Sequence, residues 1–433
     1  MSTNTPNDPT PDTIQRNVKR RAEDALTLSF PRRSRVRKKQ KYRHATDLKT
    51  KSRWKKYVAL AALAAVLFAV TFGGLLYYDL KNSLDNNALN LDSFEDHNKQ
   101  PNLVDSYAGR ALNVLVVGSD QRADQDFNKD NEEGMRNDVT MVLHISADRS
   151  RAQFIAIPRD TLMNLPACKL TNGSQTVPHY GQFNWALGLG AQENPKNMAA
   201  GVACVKKTTE ALTGIDINEV VVVDFDGFIK TVETLGGIEM CFDEPIHDYE
   251  ADLDIEAGCH VLNGDQALAY ARLRHSLGSG SDLDRITRQQ QMIGKIVATA
   301  KEKGLGDSLQ LYNFVKTALE SVKTSKNLTN LSVSAGLANS LKDIPGSGVQ
   351  FSTMPVDPDR RDSNRVVPNQ DTENVWNALK NDKPFPAGTT YRTMDGSWFK
   401  VRKDGSLEPD KEHSKDYDKP NKQYVPERPR TNG

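Results

Sequence analysis

The sequence lacks the signatures of several familiar chemistries. Its four cysteines, Cys168, Cys204, Cys241 and Cys259, show no Cys-x-x-Cys spacing, which argues against a paired-cysteine zinc site. No serine–histidine pair or reactive cysteine stands out, so nothing indicates a nucleophilic triad. No internal repeat is visible, which sets aside a solenoid. The run from Tyr57 to Tyr78, YVALAALAAVLFAVTFGGLLYY, contains no charged residue. A soluble surface helix of that length would carry a polar face. About 20 apolar residues cross a bilayer core of roughly 30 Å, and Tyr57, Tyr77 and Tyr78 stand at the ends, where amphipathic rings favour the interface. The run starts too far from Met1, and is too long, for a cleaved signal peptide.

The net charge of +1 conceals two opposite parts. Residues 1–56 carry 17 Lys or Arg against 5 Asp or Glu, and the rest of the chain carries 40 against 51. Basic flanks stay cytoplasmic, so the sequence predicts a single-pass cell-membrane protein with residues 1–56 inside and residues 79–433 outside. The arm PRRSRVRKKQKYRH has no helix-turn-helix pattern, so it reads as a topology signal touching anionic lipid rather than nucleic acid. It has too little apolar content to fold alone and is expected to be disordered. All four cysteines fall in the external part, where an even count suggests disulfides. Three pairings are possible; proximity in sequence favours Cys168–Cys204 and Cys241–Cys259.

After the span at 57–78, residues 79–110 read as a polar stalk, 111–356 as the folded domain, and 357–433 as a polar extension, largely disordered after 407. Residues 384–406 suit a hairpin. Short apolar runs at 112–117, 139–145, 153–157, 219–225 and 237–242 suggest strands. Helical patterns lie between and after them, at 197–212, 226–235, 264–274, 282–303, 308–323 and 328–342. The helix at 226–235 is closed by Gly236-Gly237, a stop signal. Strands alternating with helices predict an α/β fold, a three-layer α-β-α sandwich.

Arginines and aspartates recur at the strand ends: Asp120 and Arg122 in GSDQR, Arg136 and Asp138 in MRND, Arg159 and Asp160 in IPRD. YARLRHS adds Arg272 and Arg274, and DLDRITRQQQ adds Asp282, Asp284, Arg285, Arg288 and Gln289. Ligands bind beyond the strand ends of open α/β sheets. A guanidinium fork matches phosphate oxygens, and two carboxylates suit Mg²⁺ (or Mn²⁺) bound together with substrate phosphate. In the helix from Asp282, a plausible N-cap, Ile286, Ile293, Ile296 and Val297 form one apolar stripe, with Arg285 and Arg288 on the adjoining face.

In consecutive blocks over about 111–299, the ordered series NVLVVGSDQR, RNDVTMVLHI, FIAIPRDT, NGDQALAYARLRHS and DLDRITRQQQ resembles the LytR-CpsA-Psr family. The resemblance implies a phosphotransferase that moves a glycopolymer from a polyprenyl-pyrophosphate carrier to a peptidoglycan hydroxyl, leaving a phosphodiester. It implies Asp120 and Asp138 as magnesium ligands. Arg122, Arg136, Arg159, Arg272, Arg274, Arg285, Arg288 and Gln289 become the pyrophosphate cradle, with Arg159, Asp160, Arg285 and Arg288 nearest the chemistry and Asp160 a base candidate by position. The stretch between Asp120 and Asp138 is longer than usual for the family, so Asp124, Asp126 and Asp130 compete as ligands. SLGSGSDL, between Arg274 and Arg285, reads as a flexible linker over the substrate. A lipid pyrophosphatase and a non-catalytic envelope sensor or transcriptional attenuator are the rival readings.

Overall fold

The computed structural model describes residues 54–94, 109–119, 135–274, 276–303, 320–330 and 343–410, with Val333, Leu337 and Leu341. By contact density the chain forms two units, Met1–Leu67 and Phe68–Gly433. Helix α1 (Trp54–Asn86) contains the expected span and runs on beyond Tyr78. Its stretch long and apolar enough to cross a membrane, Ala62–Asp85, covers 24 residues. At 1.5 Å per residue that is about 36 Å, long enough to cross a hydrocarbon core. Leu60, Leu63, Phe68 and Leu75 are all exposed, as a lipid-facing surface requires.

The segment after the span is not only a stalk. Leu84 is buried, and β1 (Ala88–Leu89) forms the edge of the main sheet. The chain then supplies β2 (Leu112–Ser119), β3 (Asn137–Ile145) and β4 (Ala152–Ala156). A hairpin of β5 (Leu162–Leu165) and β6 (His179–Gln182) follows, then helices α2 (Ala186–Ala191) and α3 (Met198–Thr213), strand β7 (Glu219–Val223) and helix α4 (Phe225–Thr234). Gly236 and Gly237, with φ of 70° and 90°, end α4 where the sequence placed the stop; only glycine takes such angles without strain. Beyond it lie two ribbons, β8 (Ile238–Phe242) with β11 (Gly258–Leu262) and β9 (Ile246–Asp248) with β10 (Leu253–Ile255). Helices α5 (Gly264–Arg272) and α6 (Asp282–Lys303) come next. The C-terminal part supplies β12 (Val322–Ser325), β13 (Val349–Thr353), the hairpin β14 (Val356–Pro358) and β15 (Val366–Pro368), α7 (Gln370–Lys380), β16 (Thr390–Thr393), β17 (Trp398–Val401) and β18 (Leu407–Pro409).

Among the described residues the main sheet has ten strands, in the order β1-β12-β7-β2-β3-β4-β13-β16-β17-β18. It is mixed: β2 runs parallel to β7 and antiparallel to β3, β4 is antiparallel to β3 and parallel to β13, and the last three strands form an antiparallel meander. Both faces are covered, which is why the central strands read as near-continuous apolar runs. Leu115, Val117, Val142 and Ile155 pack with Phe183, Leu187 and Val202. Residues of opposite parity, including Val114, Met141 and Phe154, pack with Phe351, Val333 and the α6 isoleucines Ile286 and Ile293.

Three expectations need correction. The 237–242 strand does not join the main sheet. Its side chains alternate buried and exposed, so β8 buries one face only, and it pairs with β11 over a separate core of Val232, Met240, Tyr270 and Met292. Lys323, placed in a helix, lies in β12, the strand between β1 and β7, which offers only Thr324 fully to the core. The folded domain does not end at 356: the expected hairpin at 384–406 forms, and its strands β16 and β17 extend the main sheet. The basic arm before Trp54, most of the expected helix at 308–323, and the tail beyond 410 lie outside the described residues.

Asp382 ties this C-terminal part to the sheet. It meets His144 Nε2 at 3.1 Å and Arg151 Nη2 at 3.0 Å, and accepts the Ala147 amide at 3.0 Å. His144 Nδ1 lies 2.8 Å from Asn113 Oδ1. Burial holds the His144 pKa below 6.5, against the opposing pull of Asp382. A histidine with a depressed folded pKa contributes stability above its unfolded pKa and loses it as pH falls through the folded value. Thermal stability is therefore expected to fall as pH drops from about 7.5 to about 5, and less steeply in His144→Gln. A pH series of melting temperatures checks this; parallel curves for the two proteins would rule it out.

Candidate functional site

The site is built where β3 begins, β4 ends and α6 begins. After β4 the chain turns at Pro158: Thr161 Oγ1 donates to the Pro158 carbonyl at 2.7 Å, and the Ile157 amide donates to Thr140 O at 2.9 Å. That turn sets Arg159 and Asp160 just past the strand end. Antiparallel pairing of β3 with β4 brings Asp138 alongside. Arg159 Nη1 donates to Asp138 Oδ1 at 2.8 Å, and its Nε faces Asp160 Oδ2 at 3.4 Å and Asp282 Oδ1 at 3.5 Å. One guanidinium thus sits among three carboxylates.

Helix α6 carries the other side. Its N-cap is Ser281 rather than Asp282: Ser281 Oγ accepts the Asp284 amide at 3.2 Å. Asp282 is thereby released to pair with Arg285 within the first turn. The segment expected to be a free linker is also tied down, since Asp284 Oδ2 accepts the Ser279 amide at 2.7 Å and the Ser279 hydroxyl at 2.6 Å. Ile286 is buried and Ile293 and Ile296 are partly buried, as the apolar stripe required.

Arg285 and Arg288 are both buried, the latter completely. Arg288 Nη2 donates to Leu273 O at 2.6 Å, and Gln289 Nε2 reaches Ala271 O at 3.4 Å. These two residues therefore grip the backbone that carries Arg272 and Arg274. Arg272 lies over the Phe225 ring at 4.8 Å, a cation–π contact. Arg274 is exposed and acts electrostatically on both Asp282 and Arg285. Arg136 is exposed immediately before β3. Asp120 and Arg122 lie outside the described residues, as do Asp124, Asp126 and Asp130.

Burial works against the charge of Arg159, but Asp138, Asp282 and Asp160 together outweigh it and hold its pKa above the usual arginine value. Burial pushes Asp282 up, opposed by Arg285 and Arg159, and pulls Arg285 down, opposed by Asp282. Four buried polar atoms here have no hydrogen bond of good geometry: Arg159 Nε, Arg285 Nε, Asp282 Oδ2 and Gln289 Oε1. Buried polar atoms are nearly always paired, so their concentration at one place fits a site meant for a polar ligand. Among the described residues no cluster of three or more His, Cys, Asp or Glu stands ready for a metal ion. Asp138 gives one oxygen to Arg159 and has a second to offer.

Two residues of this constellation were not legible as site residues; Asp282 stood in the expected arginine–aspartate set, though it also read as a cap. Gln182 and Arg365 were not singled out at all, because each sits in a segment with no local signal and reaches Asp160 only through the tertiary fold.

A buried arginine–carboxylate centre at the strand ends of a mixed α/β sheet is an anion-binding arrangement. Residues 77–381 match the LytR_cpsA_psr family, and the chain belongs to it. It is 32% identical over 200 residues to the probable cell wall biosynthesis protein LcpB of Corynebacterium glutamicum, covering 44% of this chain and 42% of that one. It is 27% identical over 267 residues to the cell wall biosynthesis protein LcpA of the same organism, covering 58% and 51%. With TagT of Bacillus subtilis, a polyisoprenyl-teichoic acid–peptidoglycan teichoic acid transferase, identity is 26% over 298 residues, covering 67% and 84%. The chain spans about half the length of the two corynebacterial relatives.

Proposed function

We propose that this domain transfers a glycopolymer from a polyprenyl-pyrophosphate carrier to a peptidoglycan hydroxyl, at the outer face of the cell membrane. The observation that carries this reading is the Arg159 guanidinium held among Asp138, Asp160 and Asp282 beside the buried Arg285. Diphosphate oxygens would exchange with these carboxylates for the arginine donors. The names of the relatives, two in cell wall biosynthesis and one a teichoic acid transferase, support the same chemistry. The basic arm and the apolar helix support a cytoplasmic N-terminus and an external domain.

The acceptor oxygen attacks the phosphorus attached to the sugar, its bond to the bridging oxygen breaks, and polyprenyl phosphate leaves. The protein mainly positions these groups and neutralises the charge that develops. Arg159 and Arg285 hold phosphate oxygens, Arg274 stands at the exposed rim, and Arg288 and Gln289 support the backbone that bears it. Asp160, which faces two guanidiniums, fits a carboxylate that fixes arginines. Asp282, whose pKa burial raises, is the better-tuned group to accept the acceptor proton. Mg²⁺ (or Mn²⁺) would bind Asp138, with Asp120 as its expected partner, and would draw charge from the diphosphate.

The test uses the full-length protein in phospholipid vesicles with a synthetic polyprenyl-pyrophosphate disaccharide. With peptidoglycan present, the sugar is expected on the wall through a phosphodiester, with one polyprenyl phosphate released per transfer. Sugar phosphate released at the same rate without peptidoglycan would mean hydrolysis. Binding without turnover would mean a sensor.

A further inference from the structure

We infer that Arg365, on the loop between β14 and β15, is a positioning residue that fixes Arg159 through Asp160. The inference rests on the phosphotransfer reading above. Arg365 lies more than 200 residues from Asp160 in the chain and outside every sequence block that marks the site. Its Nη1 donates to Asp160 Oδ1 at 3.3 Å, while the other carboxylate oxygen, Oδ2, faces Arg159 Nε at 3.4 Å. Asp160 therefore bridges the two arginines, one oxygen to each.

Gln182, the last residue of β6, closes the arrangement. With its amide turned to match its neighbours, it donates to Asp160 Oδ1 at 3.1 Å. It then accepts from Arg365 Nε at 2.9 Å and Nη2 at 3.1 Å. The backbones are joined at the same place. The Val366 amide donates to Asp160 O at 3.3 Å, and Thr161 pairs with Val366 in a parallel bridge. On the far side the Phe183 amide donates to Thr161 O at 2.8 Å and the Asn184 amide to Arg159 O at 3.1 Å. The segment Arg159–Thr161 is thus clamped between the β5–β6 hairpin and the β14–β15 hairpin.

The physical consequence concerns Arg159. A planar fork binds phosphate well only when its orientation is set in advance. The Asp160 carboxylate lies against the Nε edge of that fork as an ion pair, without a hydrogen bond of good geometry, and the two terminal nitrogens remain for Asp138 and for ligand oxygens. Asp160 can hold that edge only if its own carboxylate is held, and Arg365 with Gln182 does this. The side chain of Arg365 is 30% exposed, so it supports the cradle from its rim rather than from its floor.

Full-length variants are assayed in vesicles with the same disaccharide donor and peptidoglycan. Arg365→Ala is expected to lower kcat by about 10- to 100-fold and to leave the donor KM within about twofold. Arg365→Lys, which keeps the charge and loses the fork, should recover part of that loss. Gln182→Ala should weaken kcat in the same sense. Asp160→Asn should be slow, and Arg365→Ala/Asp160→Asn no slower than the slower single variant, since both act on one target. Wild-type kcat in Arg365→Ala, with Arg159→Ala inactive, would overturn this role alone. A raised donor KM with unchanged kcat would overturn it by making Arg365 a direct phosphate ligand. Losses that multiply in the double variant would do the same. Normal transfer by Arg159→Ala would remove both this role and the phosphotransfer reading.

Discussion

Arg159→Ala is expected to lower transfer by about 10³-fold or more while the protein stays folded. Among the described residues Arg159 alone touches Asp138, Asp160 and Asp282 together, so its loss removes the charge at the centre of the site. Two of the three carboxylates keep another arginine, Asp160 through Arg365 and Asp282 through Arg285. The stability loss should therefore stay near that of one partly buried charged hydrogen bond, about 1–3 kcal/mol. Arg159→Lys tests geometry against charge. A point charge on a flexible stem cannot face three carboxylates and a phosphate at once, so lysine should restore folding stability far better than it restores rate. Transfer measured beside a melting curve checks both parts. A slow enzyme that is equally unfolded would show a structural arginine, and wild-type transfer by the alanine variant would remove the cradle altogether.

Arg288 is the instructive contrast. It is completely buried and bonded to Leu273 O, so its truncation leaves a void and an unpaired carbonyl beneath the strand of chain carrying Arg272 and Arg274. Loss of activity in Arg288→Ala would not by itself distinguish a phosphate ligand from a support. Arg159 gives the cleaner test because its side chain is reached from the surface and its partners are shared.

Much of this was legible in the sequence because it is local. Strands such as Leu112–Ser119 and Ala152–Ala156 are short apolar runs, and the end of α4 is written in Gly236-Gly237. Arg159, Asp160 and Arg285 carry their chemistry in their neighbours, since strand ends and a helix start are visible as patterns. Arg365 has no such context. It stands in PDRRDSNR, which reads as a polar loop, and acquires meaning only when β13 pairs with β4 and carries the following hairpin to the end of that strand. Asp282 was misread for a related reason. DLDR has two acidic residues where either could cap, and only the hydrogen bond from the Asp284 amide to Ser281 Oγ decides between them. The alternating pattern of Ile238–Phe242 did distinguish a one-sided ribbon from a central strand, but a five-residue run leaves little for that distinction to act on.

Removing the Cys168–Cys204 bond is expected to cost the fold on the order of 4 kcal/mol. The pair forms, with Cα atoms 5.3 Å apart and a separation of 36 residues. Closing a loop of that size restricts the unfolded chain by about 4 kcal/mol on the chain-entropy account. Both residues are buried, so the serine variants would add hydroxyls where no solvent reaches. Cys241–Cys259 should matter less. It joins directly opposed residues of β8 and β11 and closes only 18 residues, about 3 kcal/mol by the same account. Cys168→Ser/Cys204→Ser should therefore melt roughly 8–15 °C below the parent, and further below it than Cys241→Ser/Cys259→Ser does. The larger loop also has a functional reach. It spans β6 with its last residue Gln182, and ties the segment that follows β5 to α3, so loosening it frees one side of the clamp on Arg159–Thr161. Transfer by the first double variant should fall even at temperatures where it is fully folded, whereas the second, whose ribbon packs on a separate core, should keep its rate. Equal melting points, or equal rates, for the two double variants would break the link between that disulfide and the site.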